Sequence, residues 1–277
     1  MASASTRSAM LGTALGGAVY RAIESLGDLG LFAARTFGWL VRRLPARGTL
    51  IPIFYFVGVR SVPVVAVTGA FIGMVMAVEL YQDFHNLGFA TRLGSMINIT
   101  VIRELGPVLA ATMIAGRVGS AMAAELGTMK ITEQIDALMC LGVNPLYYLV
   151  VPRFLACVLL TPLLTIVADC MGIGGGAIVC LQVYHIEPHY YWTRAQDFVG
   201  MGDVLNGLVK SVFFGGVIAL ISCHRGFNSR AGAEGVGRAA TEAFVASFIA
   251  ILALDFFLAV TLDNITAYFG PAARRMI

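Results

Sequence analysis

Five long apolar runs constrain this chain before anything else does. Ser61–Val78 carries no charge, and Leu93–Ala124 is longer and contains Arg103, Glu104 and Arg117. Phe154–Val183 contains Asp169, Val204–Cys223 contains Lys210, and Ala243–Leu262 contains Asp255. About 20 mainly apolar residues in a helix cross the roughly 30 Å hydrocarbon core of a bilayer, so each run predicts a membrane-spanning helix. Composition agrees, with 58% hydrophobic and 13% charged residues, against about 25% charged in an ordinary globular domain. The expected fold is an all-α integral membrane protein.

A net charge of +3 with dispersed basic residues excludes nucleic acid as a partner. The five cysteines, Cys140, Cys157, Cys170, Cys180 and Cys223, lie far apart with no metal-ligand spacing and read as small buried hydrophobes. The N-terminal stretch MASASTRSAM is a poor secretory signal, although its lack of acids before Glu24 is shared with transit peptides, and no cleavage is expected.

Ahead of the spans, Ala9–Leu44 is helical in period. Arg21, Glu24, Asp28, Arg35 and Arg42 share one face, and Leu26, Leu29, Ala33, Phe37, Leu40 and Leu44 share the opposite one. That pattern predicts an amphipathic helix lying in the membrane interface. The chain divides into residues 1–50, the interfacial region, and 51–277, the membrane domain. With the N-terminus in the cytoplasm, most Lys and Arg near span ends fall inside, and five spans leave the C-terminus outside. The aromatic stretch Tyr184–Asp203 is then an outer interfacial loop. His185 and His189 flank Glu187, but Pro188 spoils the shared helical face that a metal-binding pair would need.

One polar interruption, AELGTMKITEQIDALMCL at Ala124–Leu141, separates the second and third runs. Thr128 is placed to cap a helix, and Gly142 followed by Asn144-Pro145 to stop it. Ile131, Ile135, Leu138 and Gly142 form one stripe and Lys130, Glu133, Gln134 and Ala137 another. This predicts a short amphipathic cytoplasmic helix whose acidic and amide face suits a protein partner better than anionic headgroups.

The run RELGPVLAATMIAGRVGSAMAAELGTMKITEQIDALMCLGVNPLYYLVVPRF, followed by TPLLTIVAD and, near the C-terminus, LDFFLAVTL, closely resembles the MlaE/YrbE family of permease subunits of Mla- and Mce-type lipid ABC transporters. The resemblance covers most of the chain from about Arg60 onward. It implies a homodimeric permease that moves phospholipid or a related lipid between the bacterial inner membrane and a periplasmic lipid-binding partner. It also implies that the polar interruption, with Glu125, Lys130, Glu133, Gln134 and Asp136, is a coupling helix seated in a cytoplasmic ATPase. The further partners it implies are an MCE-domain lipid-binding protein outside and a STAS-domain protein beside the ATPase.

Charge at mid-bilayer costs about 2.5 to 3.5 kcal/mol on insertion scales. Adjacent Arg103 and Glu104 project in different directions and each needs a partner elsewhere. They either lock span to span, as Asp169, Lys210 and Asp255 could, or line a polar patch in an apolar two-chain cavity. The resemblance sets RELGP near the dimer axis and favours the patch. Tyr81, Phe84 and Leu87, at the end of the first span, offer apolar area for acyl chains, with Glu79 and Asp83 as added charges. The glycines of GIGGGA at Gly172–Ala177 suit close helix packing. GAEGVGRAA lacks the ending of a phosphate loop, so the expected role is a non-catalytic subunit that binds no cofactor, with ATP and Mg held by the partner. The competing expectation is an ion-coupled secondary transporter of a hydrophobic solute using Glu104, Asp169 or Asp255, a class marked by internal repeats that are not evident here. An embedded enzyme would need motifs such as G-x-S-x-G or H-E-x-x-H, which the chain lacks.

Overall fold

A computed structural model describes residues 23–42, 47–86 and 93–273. Five helices are long and apolar enough to cross a membrane, as the apolar runs predict. Helix α1 covers residues 23–42, and the first spanning helix, α2, is Gly48–Asn86. Next come α3 (Leu93–Ile131), the short α4 (Gln134–Cys140) and α5 (Leu146–Val183). They are followed by α6 (Pro188–Phe198), α7 (Met201–Phe227) and α8 (Ala233–Ala273).

Water cannot drive helices together inside a bilayer, so close backbone approach and interhelical polar contacts have to do so. The α2–α5 seam shows the first device. Gly69, Gly73 and Ala77 recur every fourth residue on α2, and Ala168, Gly172 and Gly176 do so on α5. A Cβ at Gly69 would lie 2.6 Å from the Ala168 carbonyl oxygen, and one at Gly73 would overlap the Gly172 carbonyl. Gly172, Gly175 and Gly176 therefore pack helices together, as expected from the glycine run. Gly215 makes a similar seam between α7 and α5, where a Cβ would lie 2.5 Å from the Cys157 carbonyl.

Side chains fill the bundle in three tiers. The central one includes Val65, Ile114, Phe154, Phe214 and Ile251. At one end, Leu93, Ile97 and Tyr191 form a second tier with Tyr81 and Phe84 against it. At the other end, Leu126, Ile135, Leu149 and Cys223 form the third, covered by Phe32 of α1. Helix α1 thus lies against the bundle through Phe32 and Leu40, while Leu26, Leu31 and Val41 remain exposed. Residues 9–22, 43 and 44 of the expected interfacial helix lie outside the described residues.

Three local expectations need correction. Thr128 caps nothing, because α3 continues unbroken to Ile131 and the Thr128 hydroxyl donates to the Ala124 carbonyl at 2.9 Å. The break comes at Glu133, whose φ of 57° is left-handed, and α4 begins one residue later. Glu125 and Lys130 therefore belong to the end of α3. Thirdly, Tyr184–Asp203 is not all loop: Pro188 opens α6 at the first helical turn, where its missing N–H costs nothing.

Candidate functional site

The charges that an apolar span should not carry converge on one another. Lys210 on α7 is only 3% exposed, and its Nζ donates to Glu104 Oε2 on α3 at 2.6 Å. The same nitrogen lies 3.0 Å from Asp255 Oδ1 on α8, an ion-pair contact outside hydrogen-bond alignment. One buried ammonium thus joins three spans. Arg103 makes a separate pair, Nε to Asp203 Oδ1 at 3.3 Å, near the start of α7. Arg103 and Glu104 both lie in a π-helical turn, Val101–Leu105, a local widening that often marks functional positions.

The geometry shows the first of the two expectations for Arg103 and Glu104, the lock between spans. Each locks one span to another, yet Glu104 stays 45% exposed and Arg103 34%. Sequence reasoning noted Lys210 and Asp255 as lone span charges without assigning them to the site, and it overlooked Asp203. Opposite sign among lone charges in different spans was the available signal. Asp169 stays apart: its Oδ1 is buried without a hydrogen-bond partner against Gly106, where no Cβ could fit.

The residues expected to meet acyl chains are only half-buried and partly used by the protein itself. Tyr81 stacks on Tyr184, with ring centroids 3.5 Å apart, and Phe84 packs on the same tier. Leu87 lies outside the described residues. Nearby, α6 tucks Tyr191 over Gly94, where any Cβ would strike the ring, and burial pushes the Tyr191 phenol up from its ordinary value. An apolar groove of about 680 Å³ lies elsewhere, between the start of α2 and α5, with Phe54, Tyr55, Leu160 and Leu163 among its walls.

At the opposite end, α4 is held by Ile135, which is buried, and by half-buried Leu138. Lys130, Glu133, Gln134 and Asp136 are exposed. Glu125 differs from the other expected coupling residues, because its carboxylate pairs with Arg153 of α5 at 2.9 Å. Arg153 is 7% exposed and also donates to the Leu149 carbonyl at 2.7 Å. The result is a short helix clipped between the ends of α3 and α5, whose exposed surface carries Gln134 and Asp136 beside Met139.

The sequence matches the family model described as "Permease MlaE" over residues 50–261. It is 42% identical to a "Probable ABC transporter permease protein" of Synechocystis sp., over 78% of this chain and 82% of that one. It is 34% identical to the "Intermembrane phospholipid transport system permease protein MlaE" of Haemophilus influenzae, over 89% of this chain and 95% of that one. Identity to the Arabidopsis thaliana chloroplastic protein TRIGALACTOSYLDIACYLGLYCEROL 1 is 37%, over 73% of this chain and 57% of that longer one. With five apolar helices and a family match spanning most of their length, the chain belongs to the MlaE permease family.

Proposed function

We propose that this chain is the membrane subunit of an ABC transporter that moves phospholipid between the inner membrane and a periplasmic lipid-binding partner. The observation that carries this reading is the half-exposed Glu104 and Arg103, set among apolar side chains and held by Lys210 and Asp203. An amphiphile needs such a surface: polar groups for its headgroup, beside apolar walls for its chains. Two copies of the chain would enclose the lipid, since one five-span subunit is too small to do so. The names of the Haemophilus and Synechocystis relatives support phospholipid as cargo and ATP as the energy source.

Residues 51–277 form the permease domain in this reading and residues 1–50 the interfacial region. The N-terminus and α4 face the cytoplasm and the C-terminus the periplasm. A separate ATPase, which holds the ATP and Mg, docks on Lys130, Glu133, Gln134 and Asp136, with a STAS-domain protein beside it. An MCE-domain protein docks on the outer side. The chain itself catalyses no reaction. Closure of the ATPases displaces α4, and the displacement passes to α3 through the Glu133 turn and to α5 through Gly142–Pro145. Those two helices carry Glu104 and the glycine seam, so the cavity between the two copies changes width.

The test uses two sets of variants. Glu104→Arg places a cation beside Lys210 and should cut photo-cross-linking of phospholipid while the inserted complex still assembles; unchanged cross-linking would sink the headgroup role. Glu133→Lys and Asp136→Lys should reduce ATPase co-purification, and normal co-purification with both would remove the coupling role of α4.

A further inference from the structure

A second polar pocket lies at the turn between α7 and α8, on the α4 side of the bundle. It measures about 200 Å³ and is lined by Arg225, Ser229, Arg230, Arg238 and Glu242, with Gly235 at its base. From Lys210 to Arg225 is about 22 Å along α7 at 1.5 Å per residue, so this pocket is separate from the Glu104 cluster.

Its charges do not balance. Glu242 accepts from Arg238 Nε at 2.8 Å and meets Arg225 Nη1 at a long 3.4 Å. Among the described residues Arg230 makes no ion pair and is exposed. Three guanidinium groups thus face one carboxylate. Ser229 is only 8% exposed, and its hydroxyl is buried toward α3, with Gly127 beside it, rather than presented to the pocket. The first turn of α8 adds to this field. Its opening amides have no carbonyl one turn earlier to bond, and the helix dipole favours an anion there. Gly232, at φ +89°, lets the turn fold down onto that end, and a Cβ at Gly235 would collide with the Arg230 backbone. Glu234 also sits in that first turn, but it does not line the pocket.

We infer that this pocket binds a phosphate group, that of an anionic phospholipid in the leaflet on the α4 side. A volume of about 200 Å³ admits a phosphate with the stubs of its esters and excludes a peptide segment. The pocket opens beside the last turn of α7, ending at Phe227, where a spanning helix leaves the hydrocarbon. Basic pockets between helices at that level recognise acidic headgroups. The bound lipid ties α8 to α7 at the end where α4 docks, beyond any lipid held at Glu104.

The full chain, purified with its partners, is reconstituted in nanodiscs of phosphatidylcholine with or without phosphatidylglycerol, and retained lipid is counted by native mass spectrometry. Wild type is compared with Arg230→Gln/Arg238→Gln, so lipid held elsewhere cancels in the difference. Phosphatidylglycerol retention should fall about 25-fold, about fivefold for each arginine removed, with phosphatidylcholine unchanged. Arg230→Gln alone, at an exposed position, should lower it about fivefold and guards against misfolding of the double variant. Inorganic phosphate is the second probe. Failure of millimolar phosphate to displace the lipid supports a membrane source, whereas phosphate binding with equal lipid retention in both proteins overturns the lipid in favour of a free anion. Equal retention in both arms overturns the site. Loss of ATPase co-purification with unchanged lipid would make the pocket a protein contact and overturn it too.

Discussion

Adding one methyl group to different glycines of α2 and α5, inside their seam or away from it, should have effects of opposite sign. At Gly69 the new Cβ would lie 2.6 Å from the Ala168 carbonyl oxygen and 3.0 Å from its Cα, both backbone atoms that cannot rotate away. Ordinary contact begins at 3.4 Å, so the helices must part by about 0.8 Å, a gap that forfeits a quarter to a half of each neighbouring dispersion contact. Overpacking of this kind costs about 1–3 kcal/mol, and the helix propensity gained from Ala over Gly offsets about 1 kcal/mol. Gly69→Ala should therefore destabilise by about 1 kcal/mol. Gly73→Ala, which overlaps the Gly172 carbonyl, should cost about 3 kcal/mol. Gly174 has nothing within 4 Å of its notional Cβ, and Gly174→Ala should stabilise by about 1 kcal/mol through propensity alone. Reversible unfolding in mixed micelles, titrated with sodium dodecyl sulfate, measures all three. Equal stabilities for Gly69→Ala and Gly174→Ala would refute the argument that backbone contact holds α2 to α5.

Lys210→Met should destabilise by about 3 kcal/mol, the low end for a broken buried pair because Glu104 is half exposed; Lys210→Met/Asp255→Asn should recover part of the loss, and no recovery in the same titration would mean that Asp255 is not Lys210's charge partner. Glu133→Gly should be neutral or slightly stabilising because only glycine takes φ of 57° without penalty, whereas Glu133→Val should cost about 1–2 kcal/mol; equal thermal stability of the two would show that Glu133 is not left-handed. Gly142→Ala, at φ +73°, should loosen the α4–α5 turn by about 1 kcal/mol, read as faster proteolysis after α4, and unchanged cleavage would count against it.

The legibility of this molecule differs sharply between elements. The spans were readable because hydrocarbon thickness sets a length that a single run either meets or does not. The polar helix between α3 and α5 was readable as an interruption, but its start was misread by six residues. Thr128 looks like a cap, yet its hydroxyl can equally bond the carbonyl four residues back inside a helix, and it does so. Pro188 does separate His185 from the helix that carries His189, as expected, but because proline suits a first turn it also opens α6, which the aromatic stretch did not reveal. Among the candidate site residues, Arg103 and Glu104 stood out as charges in an apolar run. The stack of Tyr81 on Tyr184 was not legible, because 103 residues separate the two rings along the chain.

What the sequence determined alone is local: how many helices can span, which residues are too polar to face lipid, and where small residues repeat every fourth position. Each follows from the chemistry of one segment against its solvent. What the tertiary structure decided is pairing. Lys210 could have met Asp169 as readily by composition, but the π-helical turn at Val101–Leu105 and the approach of Gly207 to the Ile102 carbonyl bring Glu104 to it instead. Partner choice among buried charges depends on rotations and offsets between helices, and those are settled by packing across the whole bundle, not by any one run of residues.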